Sequence, residues 1–161
     1  MTASPSDSGV TGWLDGVVFF VALLATALAL GDALAHLFEL PNKIDLPREH
    51  YFIVQGIYRG WAQLAYVLAV QFLAILAAII LARHRPRVRW LAVAALLGLI
   101  AAQAVFWAYT QPANAATANW TLQPANWEAL RRQWEYSHAA GAIFQLLSMG
   151  ALIGAALARG R

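Results

Sequence analysis

A chain of 161 residues that is 61% hydrophobic and only 12% charged, with a mean hydropathy of +0.57, lies outside the range of ordinary soluble domains. It contains no cysteine, which excludes disulfides, thiolate metal sites and dithiol redox chemistry. The net charge of +3 does not point to nucleic acid: four of the eleven basic residues crowd into one turn, R-H-R-P-R-V-R at 83–89, and no basic face interleaved with aromatics exists.

Four apolar runs, at 13–40, 58–82, 88–109 and 137–158, are each long enough to cross a bilayer at about 20 residues per span. They predict one all-α domain over 13–161, an integral membrane antiparallel four-helix bundle, behind a disordered polar tail at 1–12. Short interfacial helices are expected in the loops at 41–57 and 110–136. Ala33-Leu34-Ala35 resembles a signal-cleavage site, but no basic segment precedes the run and the run is too long, so the first span is read as retained.

In the first span Asp32, His36 and Glu39 follow at spacings of four and three, which places all three on one helix face. Leu40-Pro41-Asn42 is expected to end that helix, because a residue before proline disfavours the α region. The loop beyond holds Lys43, Asp45, Arg48, Glu49 and His50, with Pro47 suited to start a short helix. Span two opens on Gln55, Arg59, Gln63 and Tyr66, a stripe that either glues helices together or lines a cavity.

Span three is plain until Gln103 and Trp107, one turn apart near its far end. Q-P-A-N at 111–114 then recurs at 123–126, each Pro breaking or starting a helix and each Asn placed to cap the next. From Trp127 a helix would carry Glu128, Arg131, Glu135 and His138 along one side. Span four adds Gln145 and Ser148, with Gly141, Gly150 and Gly154 set for close helix contact, and closes on Arg159 and Arg161.

Four spans put both termini and the 83–89 turn on one side, which the dense arginines assign to the cytoplasm. The polar ends of all four helices then meet at the non-cytoplasmic face. His36-x-x-Glu39 and Glu135-x-x-His138 arrive there from antiparallel helices one and four. His36, Glu39, Glu135 and His138 are therefore the candidate catalytic residues and the candidate metal ligands. Imidazole with carboxylate suits a single Fe, Cu or Zn ion, two facing histidines suit a haem, and with no cofactor the same groups form a base with oriented partners. The structural alternative is an ionic network in which Asp32 and Glu39 pair with Arg59, Arg131 or Arg132.

The polar, His-bearing end of helix one, the W-A-Y-T-Q-P-A-N segment at 107–114 and Trp134-x-x-x-His138 together resemble the four-helix membrane family DUF1772, which includes the anthrone oxygenase-like proteins. The resemblance implies oxidation of a small, flat, hydrophobic substrate such as an anthrone to a quinone by molecular oxygen. It carries over Asn114, Trp134 and His138 as site residues. An Arg often stands three residues after the last His in that family, where this chain has Gly141. The combined expectation is a membrane oxidoreductase whose partners are the bilayer, a small hydrophobic substrate and oxygen, with Tyr58, Trp107, Asn114 and Trp134 walling the substrate. A homo-oligomer is left open. The competing expectation is a non-catalytic membrane protein that binds metal or haem, or serves in assembly or scaffolding.

Overall fold

A computed structural model describes residues 5–160 of the chain, with side chains from residue 12 onward. All regular secondary structure among the described residues is helical, without strands. The main helices are α1 (Pro5–Lys43), α2 (Arg48–Gln55), α3 (Leu64–Leu81), α4 (Pro86–Val105), α5 (Gln111–Ala116) and α6 (Trp127–Ala158). Four stretches are long and apolar enough to cross a membrane: Gly12–Lys43, Trp61–Leu81, Pro86–Ala116 and Trp127–Ala158. The chain thus fits an integral, multi-pass membrane protein. Around the bundle the neighbours run α1, α3, α4, α6 and back to α1.

Small residues set how closely these helices approach. Ala22, Ala78, Ala95 and Ala155 are fully buried with Phe19, Ile75 and Leu152 between them, while Phe20, Leu73, Ile143 and Leu157 point outward, as suits a lipid solvent. Three polar side chains buried in the middle of the bundle, Gln71, Gln145 and Ser148, are answered, as an unanswered one is costly there. Gln71 and Gln145 face each other across α3 and α6, with Gln71 Nε2 donating to Gln145 Oε1 at 3.0 Å. Ser148 Oγ donates to the Ala95 carbonyl at 2.7 Å. The glycine that permits this approach is Gly98. A Cβ there would lie 3.0 Å from the Phe144 carbonyl oxygen and from Ser148 Cβ. The expected contact glycines differ: Gly141 and Gly150 meet nothing within 4 Å, and Gly154 only the end of Leu91 at 3.7 Å.

At one end of the bundle Asp15 ties three elements together. Arg85, from the turn between α3 and α4, grips it with both Nη atoms at 2.8 and 3.0 Å, and Arg159 adds Nε at 3.0 Å. The early part of α1, the arginine turn and the end of α6 therefore share one end.

Several boundaries depart from expectation. The backbone is already helical from Pro5, inside the segment expected as a disordered tail; residues 1–4 lie outside the described residues, as does Arg161. Pro41 does not stop α1, which continues to Lys43. The proline falls in the last turn, where one lost hydrogen bond costs least, and the continuation delivers the Lys43 side chain into a buried network. Gln55, Arg59, Gln63 and Tyr66 do not form one stripe on a continuous helix. Gln55 closes α2, and Gly60, at φ 91°, breaks the path between two 3-10 turns before α3 starts. Span three runs on past 109 through a widened π turn, Phe106–Thr110, directly into α5. Pro112 has no N–H to give and would crowd the carbonyl four residues back, and the wider turn relieves both. The Tyr109 carbonyl accepts from Gln133 Nε2 at 2.7 Å.

Candidate functional site

The opposite end of the bundle holds a cleft of about 680 Å³ between the polar ends of α1 and α6, the 3-10 turns before α3, and the π turn with α5. Its depth follows from α3. The span Trp61–Leu81 is 21 residues, about 31 Å at 1.5 Å per residue, close to the hydrocarbon thickness of roughly 30 Å. Trp61 thus marks the interfacial level, and Leu68, which also lines the cleft, lies about two turns deeper.

His36 and His138 stand side by side in this cleft. The 36th residue is on α1 and the 138th on antiparallel α6, yet the rings stack with centroids 4.0 Å apart and planes 28° from parallel. Aromatic rings hold them in place. Trp134 meets His36 edge-on at 5.1 Å and His138 at 4.2 Å, Tyr58 lies 4.7 Å from His36, and Trp61 lies 5.6 Å from it. His36 is buried, and its Nδ1 has no hydrogen-bond partner. The same is true of Asp32 Oδ1, one turn earlier on the same face of α1 and also lining the cleft.

Of the expected substrate wall, Tyr58, Trp107, Asn114 and Trp134 all line the cleft. Trp134 donates its indole N–H to Asn114 Oδ1 at 2.8 Å, which fixes the plane of its ring. Asn114 therefore acts as an orienting side chain within α5 rather than as a helix cap. Asn126 does stand at the N-terminus of α6, without a side-chain capping bond.

Glu39 and Glu135 come to the same level but do not line the cleft. Both turn to Lys43, whose Nζ lies 3.2 Å from Glu135 Oε1 and 3.4 Å from Glu39 Oε2. Lys43 also donates to the Tyr58 hydroxyl at 2.6 Å and sits over the rings of Tyr58 and Trp134 at 4.4 and 4.8 Å. Tyr58 donates its own O–H to Glu39, and Tyr51 donates to Glu135 Oε1 at 3.0 Å while accepting from Gln55. Burial, then the Glu39 carboxylate, hold the Tyr58 phenol well above its ordinary range. Burial and Glu135 do the same for Tyr51, so both remain donors. The cation of this network is Lys43 and not Arg59, Arg131 or Arg132. Arg59 is exposed at the rim of the cleft, and Arg131 bonds the Leu46 carbonyl at 2.7 Å and stacks on Trp127 at 4.6 Å.

The expected metal set does not assemble. An imidazole lone pair lies in its ring plane, so two rings stacked with planes 28° apart hold their lone pairs in separate, nearly parallel planes that do not converge on one ion at about 2.0–2.1 Å. The carboxylates that would complete the set are committed to Lys43. Among the described residues no group of three or more His, Asp or Glu is placed to hold a metal ion. Two imidazoles in face contact also leave no room for a haem between them. Neither a single Fe, Cu or Zn ion nor a haem fits His36, Glu39, Glu135 and His138 as arranged.

Residues missing from the sequence-level site complete the enclosure. Ala118, Asn119 and Trp120, at φ 46°, 55° and 65°, form a left-handed turn across the cleft. Each non-glycine residue in that region costs roughly 1–2 kcal/mol. The turn is held by Asn119 N–H to the Asn114 carbonyl at 2.7 Å and by Trp120 N–H to Thr117 Oγ1 at 3.1 Å. The Trp120 ring packs against Tyr51 at 5.1 Å and Trp134 at 6.0 Å. Comparison with protein-family models, curated proteins and solved structures finds no match to this chain.

Proposed function

We propose that the chain is a membrane oxygenase for a flat, apolar aromatic ketone of the anthrone type, with the His36–His138 pair as its base. The observation that carries this reading is the stacked imidazole pair, with His36 Nδ1 unanswered, in a cleft lined by Tyr58, Trp61, Trp120 and Trp134 near the membrane interface. Such cavities, apolar with a few convergent polar groups, are the usual form of small-molecule sites. The family resemblance supports the same chemistry, and the arginine turn at the other end supports placing the cleft at the non-cytoplasmic face.

The steps follow from the groups present. Trp134 and Trp61 offer ring faces and edges to a planar substrate. An imidazole, whose basicity begins near neutral pH, removes a proton from the carbon opposite the ketone, and the electron pair left behind delocalises into the rings as an enolate. That carbanion reduces molecular oxygen by forming a C–O bond, and the imidazolium returns its proton to the peroxide. Loss of the second hydrogen of that carbon as a proton, with cleavage of the O–O bond, gives the second carbonyl and one water. Asp32, facing the same cleft, stabilises the imidazolium. Glu39, Glu135 and Lys43 act from behind by fixing Tyr58 and Trp134.

Purified protein in mild detergent, given anthrone in air, should consume one oxygen per quinone formed. His36→Gln and His138→Gln should each lower the rate by about 10²-fold or more, the usual contribution of a positioned base. Glu135→Gln should have a smaller effect. Wild-type rates in both histidine variants would overturn the assignment.

A further inference from the structure

A second depression, of about 460 Å³, lies on the outer surface between α3 and α4 and shares Leu68, Gln103 and Trp107 with the cleft. Its direction is set by the two helices. On α3 it runs from Leu68 to Phe72, about 6 Å away from the interfacial level. On α4 and the π turn that continues it, which run the other way, it extends from Trp107 back to Leu99, roughly 12 Å toward the middle of the bilayer. Leu99 is buried and forms its floor, whereas Phe72, Ile100 and Trp107 are exposed along its sides, so the trough opens to lipid. Gln103 is its one polar side chain, at the junction with the cleft.

The two spaces differ in chemistry and adjoin at Leu68, Gln103 and Trp107. The cleft carries polar atoms without partners, on His36, Asp32, Gln55 and Trp120, whereas the trough is apolar along its length. We infer that the ligand of the cleft is a membrane amphiphile: its ring head lies beside His36 and His138, and its apolar tail leaves over Leu68 into the trough between α3 and α4. Such a molecule reaches the cleft sideways from the bilayer, already at the right depth. This inference rests on the cleft being a ligand site but not on the oxygen chemistry. The tail gains little energy by exchanging lipid for the trough, because both are apolar. What the trough supplies is room beside an occupied cleft, so filling it is the discriminating perturbation.

The test compares anthraquinone with a decyl-substituted anthraquinone, binding to wild-type protein in nanodiscs, read by quenching of tryptophan fluorescence. Ala104→Trp and Ala69→Phe each fill the trough from a different helix, and either serves if the other fails to fold. Both should weaken the decyl compound by about tenfold or more, the scale of overpacking a tight space, and leave anthraquinone within about twofold. Equal binding of the decyl compound to wild type and variants, or equal weakening of both compounds, would overturn the tail site while leaving the cleft reading intact. Failure of both compounds to bind wild-type protein would overturn the cleft reading and the tail site with it.

Discussion

Replacing Lys43 by methionine tests whether its buried ammonium holds the head of the site together. Lys43 is 4% exposed and Glu135 is 0% exposed, with 3.2 Å between Nζ and Oε1. Removing the cation leaves Glu135 with the Tyr51 hydroxyl alone and strips Glu39 of its ion pair. Loss of one partner from a buried pair costs about 3–5 kcal/mol, because the remaining charge is uncompensated. Neutralising that charge should recover much of the loss: in Lys43→Met/Glu135→Gln the amide oxygen still accepts from Tyr51, and no buried carboxylate is left alone. Denaturant-induced unfolding in mild detergent, followed by circular dichroism, should give a coupling energy of roughly 2 kcal/mol or more between the two sites. Additive losses, or a Lys43→Met protein as stable as wild type, would refute the network.

Two further changes probe the scaffold. Gly98→Ala should destabilise by about 1–3 kcal/mol, because the new Cβ lies 3.0 Å from the Phe144 backbone oxygen and the helices must part; thermal unfolding checks this, with Gly150→Ala, which meets nothing within 4 Å, as the neutral control. Ala118→Gly should instead stabilise by roughly 0.5–1 kcal/mol by relieving a left-handed alanine at φ 46°, and an unchanged or lower midpoint would count against the turn as described.

The membrane bundle was legible because its signals are long. Runs of some twenty apolar residues and an arginine-dense turn survive any error of a few positions. The meeting of His36 with His138 was also legible, since helical spacing and antiparallel order place both at one end. Lys43 was not, although it stands four residues after Glu39, because Pro41 reads as a helix stop and so assigns the lysine to a loop. The same kind of error moved Gln55 and Arg59 onto a helix that Gly60 interrupts. Gly98 was hidden by its surroundings: in a run of Ala, Leu and Ile nothing local marks which glycine faces a neighbouring backbone. Ala118, Asn119 and Trp120 carry no turn signal strong enough to announce three consecutive left-handed residues. Tertiary contacts hold them there, and those contacts are not periodic in sequence.

The central claim, that the stacked imidazoles act as a base on a ring-bound carbon, is tested most directly in the absence of oxygen. Anthrone deuterated at the carbon opposite its ketone is incubated anaerobically with the purified protein, and wash-out of the label into water is followed by mass spectrometry. With no oxygen to trap the carbanion, proton removal and return are the only events read. Wild-type protein should accelerate wash-out by about 10²-fold or more over buffer, and His36→Gln and His138→Gln should abolish most of that acceleration. Wash-out at the buffer rate with wild-type protein, or full acceleration in both variants, would contradict the assignment of His36 and His138 as the base.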